Sequence, residues 1–285
     1  MIAFFGTGLL GSNFVRALRR RGEDVQVWNR SAQKARALEA DGARACDEPA
    51  AAARGATRIH LTLSDDAAVD DVLERAQPGF APGVVIVDHT TTSASGTAAR
   101  AVRWAGRGVA FQHAPVFMGP QNALDGTGVM LVSGDRQRCE SLQPELAKMT
   151  GKLVYLGPQP ERAAGFKLMG NLFLMHLTAG MAEMLGLAKA LGISGGEAAT
   201  LFDAFNPAST LAPRLRRMLD ADFARPSWEL AMARKDARLM LDEAARAQQT
   251  LEVLPSIAHW MDQLIARGHG QDDWTVLAKD ALPAP

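Results

Sequence analysis

The stretch that most constrains the fold of this chain is GTGLLG at residues 6–11, which follows the apolar run IAFF and precedes SNFVRALRRRG. An apolar run that ends in GxGxxG and leads into a helical pattern is typical of a strand, a tight turn and a helix. Gly6 would permit the turn, Gly8 would let the backbone approach a pyrophosphate, and Gly11 would let the helix pack closely on the strand. The N–H groups at the helix start would then face the phosphates. The alternative is a structural turn without a ligand.

Short β-type runs alternate with helical patterns over the first 157 residues. The runs are IAFFG (2–6), DVQVWN (24–29), RIHLTL (58–63), GVVIVDH (83–89), VAFQHAPV (109–116), GVMLVSG (128–134) and KLVYLG (152–157). Strands that alternate with helices of this length indicate βαβ units and a mainly parallel sheet. The segment VVIV lacks polar alternation, as expected for a strand covered on both faces.

The pattern changes after the Pro- and Gly-containing segment GPQPER, and no further strand is indicated beyond it. Helical periodicity predicts helices over 162–191, 196–205, 209–219, 228–247 and 251–267. The predicted fold class is therefore α/β, with an N-terminal Rossmann-type parallel sheet domain and an all-helical C-terminal domain joined by a long helix. We place the dinucleotide-binding domain at residues 1–160 and the helical substrate and oligomerisation domain at residues 161–285.

Charge and cysteine usage exclude several classes of function. Lys plus Arg and Asp plus Glu are both 31, so the formal net charge is zero, which argues against nucleic-acid or anionic-membrane partners. Cys46 and Cys139 stand far apart, which suggests a reducing compartment, and no histidine pair has metal-ligand spacing. The opening MIAFFGTG has no basic segment before its apolar residues, and the apolar stretch 166–191 contains charged and polar residues. We therefore expect a cytoplasmic protein without metal.

The end of the second β-type run bears on the choice of cofactor. An NAD-binding chain carries Asp or Glu about 20 residues after the glycines, where it binds the ribose hydroxyls. This chain has VQVWNRS there, so Asn29, Arg30 and Ser31 offer a cation and hydrogen-bond donors instead. Arg suits a 2′-phosphate because of its planar fork of donors. The sequence favours NADP over NAD, the alternative being that Arg30 is a plain surface residue.

Six segments together resemble the β-hydroxyacid dehydrogenase family, the relatives of 3-hydroxyisobutyrate dehydrogenase. They are GTGLLG, WNRS, DHTTTS (88–93), HAPVFMGPQNALDGTGVMLVSGD (113–135), GFKLMGN (165–171) and RKD (234–236). The resemblance covers nearly the whole chain; the glycine loop is generic, whereas APV followed by GxxxKxxxN is more particular. It implies an N-terminal Rossmann domain, a helical C-terminal domain and an active site in the cleft between them.

The resemblance also implies roles for single residues. Lys167 matches the family's catalytic lysine, which exchanges a proton with the substrate oxygen, and Asn171 matches the asparagine that orients the substrate. Thr91 matches a hydroxyl residue near nicotinamide and substrate, and Lys235 matches, more weakly, a lysine near the cofactor. The complete predicted cofactor-binding set is Gly6, Thr7, Gly8, Leu9, Leu10, Asn29, Arg30, Ser31, Leu63, Thr91 and Lys235.

Helix geometry supports the pairing of Lys167 with Asn171. Residues four apart on a helix project from nearly the same face, so both side chains can reach one small ligand. A lysine within the apolar stretch AAGFKLMGNLF would otherwise extend to water. Desolvation by the neighbouring apolar residues would bring its pKa nearer the working pH of a general acid.

The sequence departs from the family in the segment that follows Ala114-Pro115-Val116. The family usually has Ser-Gly-Gly there, which holds the substrate carboxylate, whereas this chain has Phe117, Met118 and Gly119. We predict a substrate pocket formed by Thr91 with these three residues, in which Gly119 and the backbone could still meet an anion. The alternative is that Phe117 and Met118 turn into the core, which is common for their residue types.

The leading hypothesis is an NADP-dependent oxidoreductase that interconverts a hydroxy compound and its aldehyde or ketone, with a β-hydroxyacid or a more apolar alcohol as substrate. Imine reductases resemble this family in fold but usually lack the lysine, so Lys167 argues for carbonyl chemistry. A non-catalytic NADP-binding module is the third hypothesis, since fold does not fix function. The expected partners are a small-molecule substrate and further copies of the chain, as a dimer or tetramer.

Overall fold

The structure is a computed structural model of the chain and describes residues 1–282. The chain divides into two compact units, the first formed by Met1–Leu172 and the second beginning at Phe173. The first unit contains two β-sheets with their helices, and the described part of the second unit contains helices without a strand. The predicted fold class is therefore confirmed. The functional boundary at residues 160 and 161 stays a prediction.

Six strands form the main sheet of the first unit. They are β1 (Ile2–Phe5), β2 (Val25–Trp28), β3 (Arg44–Ala45), β4 (Arg58–Leu61), β5 (Val85–Asp88) and β6 (Ala110–His113). Their order across the sheet is β3-β2-β1-β4-β5-β6, and all neighbours are parallel. The direction of winding reverses between β1 and β4. In sheets of this kind, ligands bind at that reversal, beyond the carboxyl ends of the strands.

A second, smaller sheet consists of β7 (Val116–Phe117), β8 (Val129–Val132) and β9 (Lys152–Tyr155). Strand β7 is antiparallel to β8, and β8 is parallel to β9. The prediction of one strand over 109–116 was wrong, because the chain leaves the main sheet after β6 and enters the smaller one. Pro115 lies at the transition and has no N–H to continue a ladder. The two-residue strand β3 was not predicted, since its short segment shows no apolar alternation.

Seven helices accompany these sheets, and their bounds are α1 (Leu9–Arg20), α2 (Ala32–Arg36), α3 (Pro49–Ala53), α4 (Asp66–Ala76), α5 (Ala94–Gly106), α6 (Pro120–Asp125) and α7 (Arg136–Leu146). Short 3-10 turns follow three of them, at Ala37–Asp41, Gln77–Gly79 and Ala147–Met149. The amphipathic α1 buries Phe14, Val15 and Leu18 and ends in a basic turn that opposes the negative end of its dipole.

The main sheet has a separate hydrophobic core on each face. In β1, Ile2 and Phe4 belong to one core, and Ala3 and Phe5 belong to the other. This follows from the two-residue period of a strand, which sends successive side chains to opposite faces. All four residues are buried, as expected for a central parallel strand with helices on both sides. Each buried Phe contributes roughly 1.5–3 kcal/mol, so this strand fixes the centre of the first unit.

The long helix α8 (Arg162–Ala190) starts in the first unit and continues into the second. It is followed by α9 (Gly195–Ala199), α10 (Leu201–Ala204), α11 (Leu211–Leu219), α12 (Leu230–Arg246) and α13 (Leu254–Leu264), with 3-10 turns at Pro207–Thr210 and Trp274–Ala281 and a π-helical segment at Ile265–His269. The α8 helix ends before Gly192, which has the left-handed φ of 72° that terminates helices. The helix predicted over 196–205 is broken into two short ones.

A buried carboxylate organises the far end of the second unit. Asp273 accepts hydrogen bonds from Thr275 and Ser227 and pairs with Arg217 at 2.7 Å. Burial alone would raise the pKa of Asp273, but the hydrogen bonds from Thr275 and Ser227 hold it well below its usual range. The ionised Asp273 therefore joins α11 and the segment before α12 to the 3-10 turn at Trp274–Ala281.

Candidate functional site

The three glycines of the loop between β1 and α1 meet different surroundings. A Cβ at Gly6, where φ is 88°, would overlap the carbonyl oxygen of Thr62, and one at Gly11 would overlap the carbonyl oxygen of Gly6. A Cβ at Gly8 would meet nothing within 4 Å. Gly6 and Gly11 are therefore required by the packing of the loop itself. The space beside Gly8 is open to a ligand.

Hydrogen bonds hold this loop against the neighbouring strands. The Gly6 N–H donates to the Trp28 carbonyl at 3.0 Å, and the Thr62 hydroxyl donates to the Gly6 carbonyl at 2.7 Å. The Asn29 side chain accepts from the Thr7 N–H at 3.0 Å and donates to the Ser31 carbonyl at 3.0 Å. Asn29, predicted as a cofactor contact, thus connects the glycine loop to the loop after β2.

The start of α1 is suited to an anion. Gly8 is the N-cap residue and has no side chain to accept from the first-turn N–H groups, and no acidic residue lies in that turn. Leu9 at the first helical position is 80% exposed, so solvent reaches the end of the helix. Free N–H groups and the positive end of the helix dipole together favour a phosphate.

A cavity of ≈ 310 Å³ lies beside this helix start, at the carboxyl ends of β1, β4 and β5. Four predicted site residues line it on the glycine-loop and β4 sides, namely Gly8, Leu9, Leu10 and Leu63. Thr91 lines it after β5. The cavity therefore occupies the position where the winding of the sheet reverses, which is where ligands bind in this class of sheet.

The same cavity contains residues that the sequence analysis did not single out as site residues. They are Gly11, Thr62, Ser64, His89 and Thr90. A signal for them exists in the sequence, because TLS follows β4 and HTT follows β5. Polar residues directly after parallel strands share one edge of the sheet, so both segments could have been predicted as lining.

A threonine side chain in the loop after β5 joins this loop to the loop after β4. The Thr90 hydroxyl accepts from the Leu63 N–H at 2.9 Å, and the Asp88 carboxylate accepts from the Thr90 N–H at 2.9 Å. Both Asp88 and Thr90 are buried. Thr90 therefore fixes the loop after β4 to the loop after β5, on either side of the cavity.

A buried histidine pair lies behind the loop after β5. Because a carbonyl oxygen only accepts, the 2.8 Å contact between His89 Nδ1 and the Ala114 carbonyl requires His89 to carry its proton on Nδ1. His89 Nε2 then accepts from His60 Nδ1 at 2.9 Å. Burial lowers the pKa of His89 to about 4 and the pKa of His60 well below its usual value. Both rings are thus neutral at neutral pH and serve as hydrogen-bonding links between β4, β5 and the turn after β6.

A second cavity, of ≈ 270 Å³, adjoins the other side of the glycine loop. Its lining comprises Thr7, Gly8, Leu9, Ser12, Arg16, Lys34, Ala37 and Leu38. Arg16 is paired with Asp41 at 3.0 Å, whereas Lys34 is exposed and has no ion pair within residues 1–282. Arg30 and Ser31, just after β2, are exposed, and Arg30 likewise has no carboxylate partner there. Lys34 was missed because a cation near the start of a short exposed helix carries no distinctive pattern.

Lys167 lies near the start of α8 and is only 9% exposed. Its Nζ is 4.2 Å from the centroid of the Phe117 ring, and no carboxylate in the described chain pairs with it. Burial lowers the pKa of Lys167. The environment is thus an aromatic face in place of a counter-ion, and the prediction that apolar surroundings lower this pKa agrees with the structure.

Phe117 and Met118 point to different surroundings. Phe117 packs on α8 beside Gly170, whose missing side chain makes room for the ring. Met118 packs against the core of the first unit, so the alternative of core packing describes Met118 and not Phe117. The Gly119 N–H donates to the Asn122 side chain at 2.9 Å, which takes away the main-chain donor that we expected to meet an anion.

Two further predicted residues are less closely defined. Asn171 is partly buried one turn after Lys167 on α8. Lys235 lies exposed on α12 of the second unit and is paired with Asp236 at 2.7 Å. The roles of both residues stay predictions.

Metal-binding clusters and membrane-spanning helices are both absent from the described residues. Residues 1–282 contain no group of three or more His, Cys, Asp or Glu side chains that could hold a metal. Within the same range, no helix is both long and apolar enough to cross a membrane. Cys46 and Cys139 are both free thiols.

Comparison with known protein families matches nearly the whole chain. Residues 1–157 match the NAD binding domain of 6-phosphogluconate dehydrogenase. Residues 162–280 match the NAD-binding domain of NADP-dependent 3-hydroxyisobutyrate dehydrogenase. Both halves of the chain therefore match domains of enzymes that use a nicotinamide cofactor.

Individual relatives differ in how much of their length they share. The uncharacterized oxidoreductase YfjR of Bacillus subtilis is 24% identical over 98% of each chain, and the 3-sulfolactaldehyde reductase of Escherichia coli is 26% identical over 97% of this chain and 94% of its own. The cytokine-like nuclear factor N-PAC of Homo sapiens is 31% identical over 84% of this chain, which spans 44% of that longer protein. The solved imine reductase of Myxococcus stipitatus shares the fold, with a TM-score of 0.91 at 18% identity over 98% of this chain and 99% of its own.

The glycine loop can be tested with two matched substitutions. We expect Gly11→Ala to destabilise the first unit by several kcal/mol, because its methyl group overlaps the Gly6 carbonyl. Gly8→Ala should leave stability within about 1 kcal/mol, because its methyl group meets open space. Thermal unfolding together with a fluorescence titration of NADPH measures both. Equal loss of stability in the two variants, or unchanged NADPH affinity in a folded Gly8→Ala protein, would contradict this assignment.

Proposed function

The chain belongs to the β-hydroxyacid dehydrogenase family of NAD(P)-dependent oxidoreductases, and we propose that it is an NADP-dependent reductase or dehydrogenase of carbonyl compounds and alcohols. The observation that carries the proposal is the buried Lys167, which has an aromatic ring and no carboxylate beside it. Burial lowers the pKa of Lys167, so it loses its proton more readily than an exposed lysine does.

The glycine loop fits a dinucleotide. Open space beside Gly8 and the uncapped start of α1 suit the pyrophosphate. Leu63 and Thr91, which line the cavity at the carboxyl ends of β4 and β5, would flank the nicotinamide. Arg30, Ser31 and Lys34 would hold the 2′-phosphate of NADP. When bound, the cofactor supplies or accepts the hydride at the carbonyl carbon.

The protein's own part in the reaction is proton transfer and orientation. In the reducing direction, the Lys167 ammonium donates a proton to the carbonyl oxygen as that oxygen gains negative charge. In the oxidising direction, the neutral amine accepts the hydroxyl proton. Asn171, one turn further along α8, would hold the substrate by hydrogen bonds. Burial of Lys167 lowers the cost of the neutral form and keeps competing water away from it.

Two other functions would also use the cofactor site described above. Imine reduction would use the same cofactor site, and the imine reductase from Myxococcus stipitatus shares the fold. A non-catalytic NADP-binding module would keep the glycine loop without any need for Lys167. The retained lysine and its apolar surroundings favour carbonyl chemistry over both.

The role of Lys167 is tested by following NADPH absorbance over a panel of aldehydes, ketones and cyclic imines. We expect carbonyl reduction in the parent protein and a loss of about 10²–10⁴-fold in Lys167→Ala, because the proton donor is removed. Lys189→Ala, an exposed lysine on the same helix, is the control and should keep full activity. Full activity in Lys167→Ala, or turnover of imines alone, would contradict the proposal.

The pH profile gives an independent measure of the same group. Oxidation of an alcohol requires neutral Lys167, so its rate should rise with pH and level off below the ordinary lysine value of about 10.4, because burial lowers this pKa. The plateau should disappear with Lys167→Ala.

The preference for NADP is tested by removing the guanidinium of Arg30. We expect Arg30→Ala to weaken NADPH binding by about tenfold, since it deletes a charge-assisted hydrogen bond to the 2′-phosphate. NADH binding should be unchanged because NADH has no 2′-phosphate. Arg54→Ala, which removes another exposed arginine, serves as the control. An equal effect on both cofactors, or a parent protein that prefers NADH, would contradict the role of Arg30.

We also propose that the chain forms a homo-oligomer. The α8 helix exposes the consecutive residues Phe173, Leu174 and Met175, together with Met181 and Leu185 further along. Consecutive helical residues point in different directions, so the exposed apolar surface surrounds the helix, far beyond the isolated exposed residues of a typical monomer. A second copy of this chain would cover it.

Light scattering after size exclusion should therefore give a multiple of 30.5 kDa. Met175→Glu places a charge on the surface to be covered and should shift the mass toward one chain, because burial of an unpaired charge is costly. Val102→Glu, at a residue 74% exposed on α5, is the control and should not change the mass. A monomeric parent protein would refute the proposal.

A further inference from the structure

The Phe117 ring occupies the space next to the Lys167 ammonium. The ring centroid lies 4.2 Å from Nζ, close enough for a cation–π contact. A substrate that gives its oxygen to Lys167 must therefore place its neighbouring atoms against this ring or close to it. The chemistry of those atoms is restricted by Phe117.

The ring is held in place from two sides. Phe117 is in register with Val129 in the antiparallel pair of β7 and β8. On the other side, the ring packs where a side chain at Gly170 of α8 would stand. Strand pairing thus fixes the backbone of Phe117, and contact with α8 fixes its ring beside Lys167.

The donors at the positions where the family carries Ser-Gly-Gly are missing or already used. The Gly119 N–H is bonded to the Asn122 side chain at 2.9 Å, and that side chain in turn donates to the Thr127 hydroxyl at 2.9 Å. Met118 has no donor in its side chain and packs on the core. A carboxylate placed against the ring would lose its water without gaining a hydrogen bond from the side chains of Phe117 and Met118 or from the Gly119 N–H, which is costly.

The charge distribution of the Phe117 ring also disfavours a carboxylate beside it. The face of an aromatic ring carries partial negative charge, which attracts the Lys167 ammonium and repels a carboxylate. An aliphatic or aromatic group would instead gain from contact with the ring.

We propose that Phe117 is the specificity-determining residue of the Lys167 site and that it selects uncharged carbonyl compounds with apolar substituents over those that carry a carboxylate near the carbonyl. This inference rests on the proposed carbonyl reduction, and it replaces the β-hydroxyacid by an apolar alcohol as the expected product.

The test compares two aldehydes of equal shape and different charge, 4-methylpentanal and 4-oxobutanoate. We expect kcat/KM of the parent protein to favour 4-methylpentanal by about 100-fold, the scale on which a binding pocket discriminates unmatched groups. Phe117→Ser removes the ring and supplies a hydroxyl donor, so the ratio should fall by at least about tenfold, mainly through KM for the acid. Phe166→Ser changes an exposed phenylalanine next to Lys167 and should leave the ratio unchanged.

A second variant moves the Phe117 ring by a substitution on α8. Gly170→Ala places a methyl group against the ring of Phe117 and should displace it, so the preference for the uncharged aldehyde should fall without any change in β7. This variant keeps the test available if Phe117→Ser does not fold. An equal use of both aldehydes by the parent, or an unchanged ratio in both ring variants, would overturn the inference.

Binding without turnover separates this inference from the proposed function. Saturation-transfer NMR with butanoate and butanamide, in the presence of NADP, reports contact with the protein whether or not any aldehyde is reduced. We expect signals from butanamide alone with the parent protein and from both compounds with Phe117→Ser. Equal signals with the parent would overturn the selectivity, whereas this selectivity without any aldehyde reduction would overturn the proposed function alone.

Discussion

The close approach of α1 to β1 and β4 is the contact on which the first unit depends. Gly6 and Gly11 touch each other and Thr62 so closely that neither position has room for a methyl group. This contact brings the start of the helix to the carboxyl edge of the sheet, where the winding reverses. The same geometry leaves the N–H groups of the helix start without side-chain acceptors and available to phosphate. The packing of the fold and its capacity for a dinucleotide therefore have one cause.

Around that contact, buried polar side chains join the strand ends that the ligand would meet. Thr90 links the loops after β4 and β5, and the neutral pair of His60 and His89 continues the links to the turn after β6. Buried hydrogen bonds of this kind rigidify a site, because an unmade bond in a low dielectric is costly. Buried hydrogen bonds therefore fix the positions of the loops that border the cavity. Such preorganisation suits a site that must align two reactants.

Lys167 shows a different solution to the burial of a charge. Buried cations usually have a carboxylate partner, but a carboxylate would hold the lysine in its protonated form. An aromatic face stabilises the ammonium more weakly, so burial can lower the pKa. In the proposed reaction the same ring would border the space for the substrate, so one residue would influence both the proton donor and the choice of substrate. The family resemblance, which rests on the lysine and its surrounding motif, does not reveal this coupling.

The sequence by itself determined the fold class, most strands of both sheets and the glycine loop, because these depend on local periodicity and on residues close together in the chain. It did not show β3 or the separation of β6 from β7. It also pointed to Lys167 and to the unusual Phe117. The tertiary structure alone decided where Phe117 and Met118 face and that the Gly119 N–H is already bonded. It alone brought Thr62, His89 and Thr90 to the cavity beside Gly8. These are contacts between residues distant in sequence, and side-chain direction at a strand end follows from packing that no local pattern records.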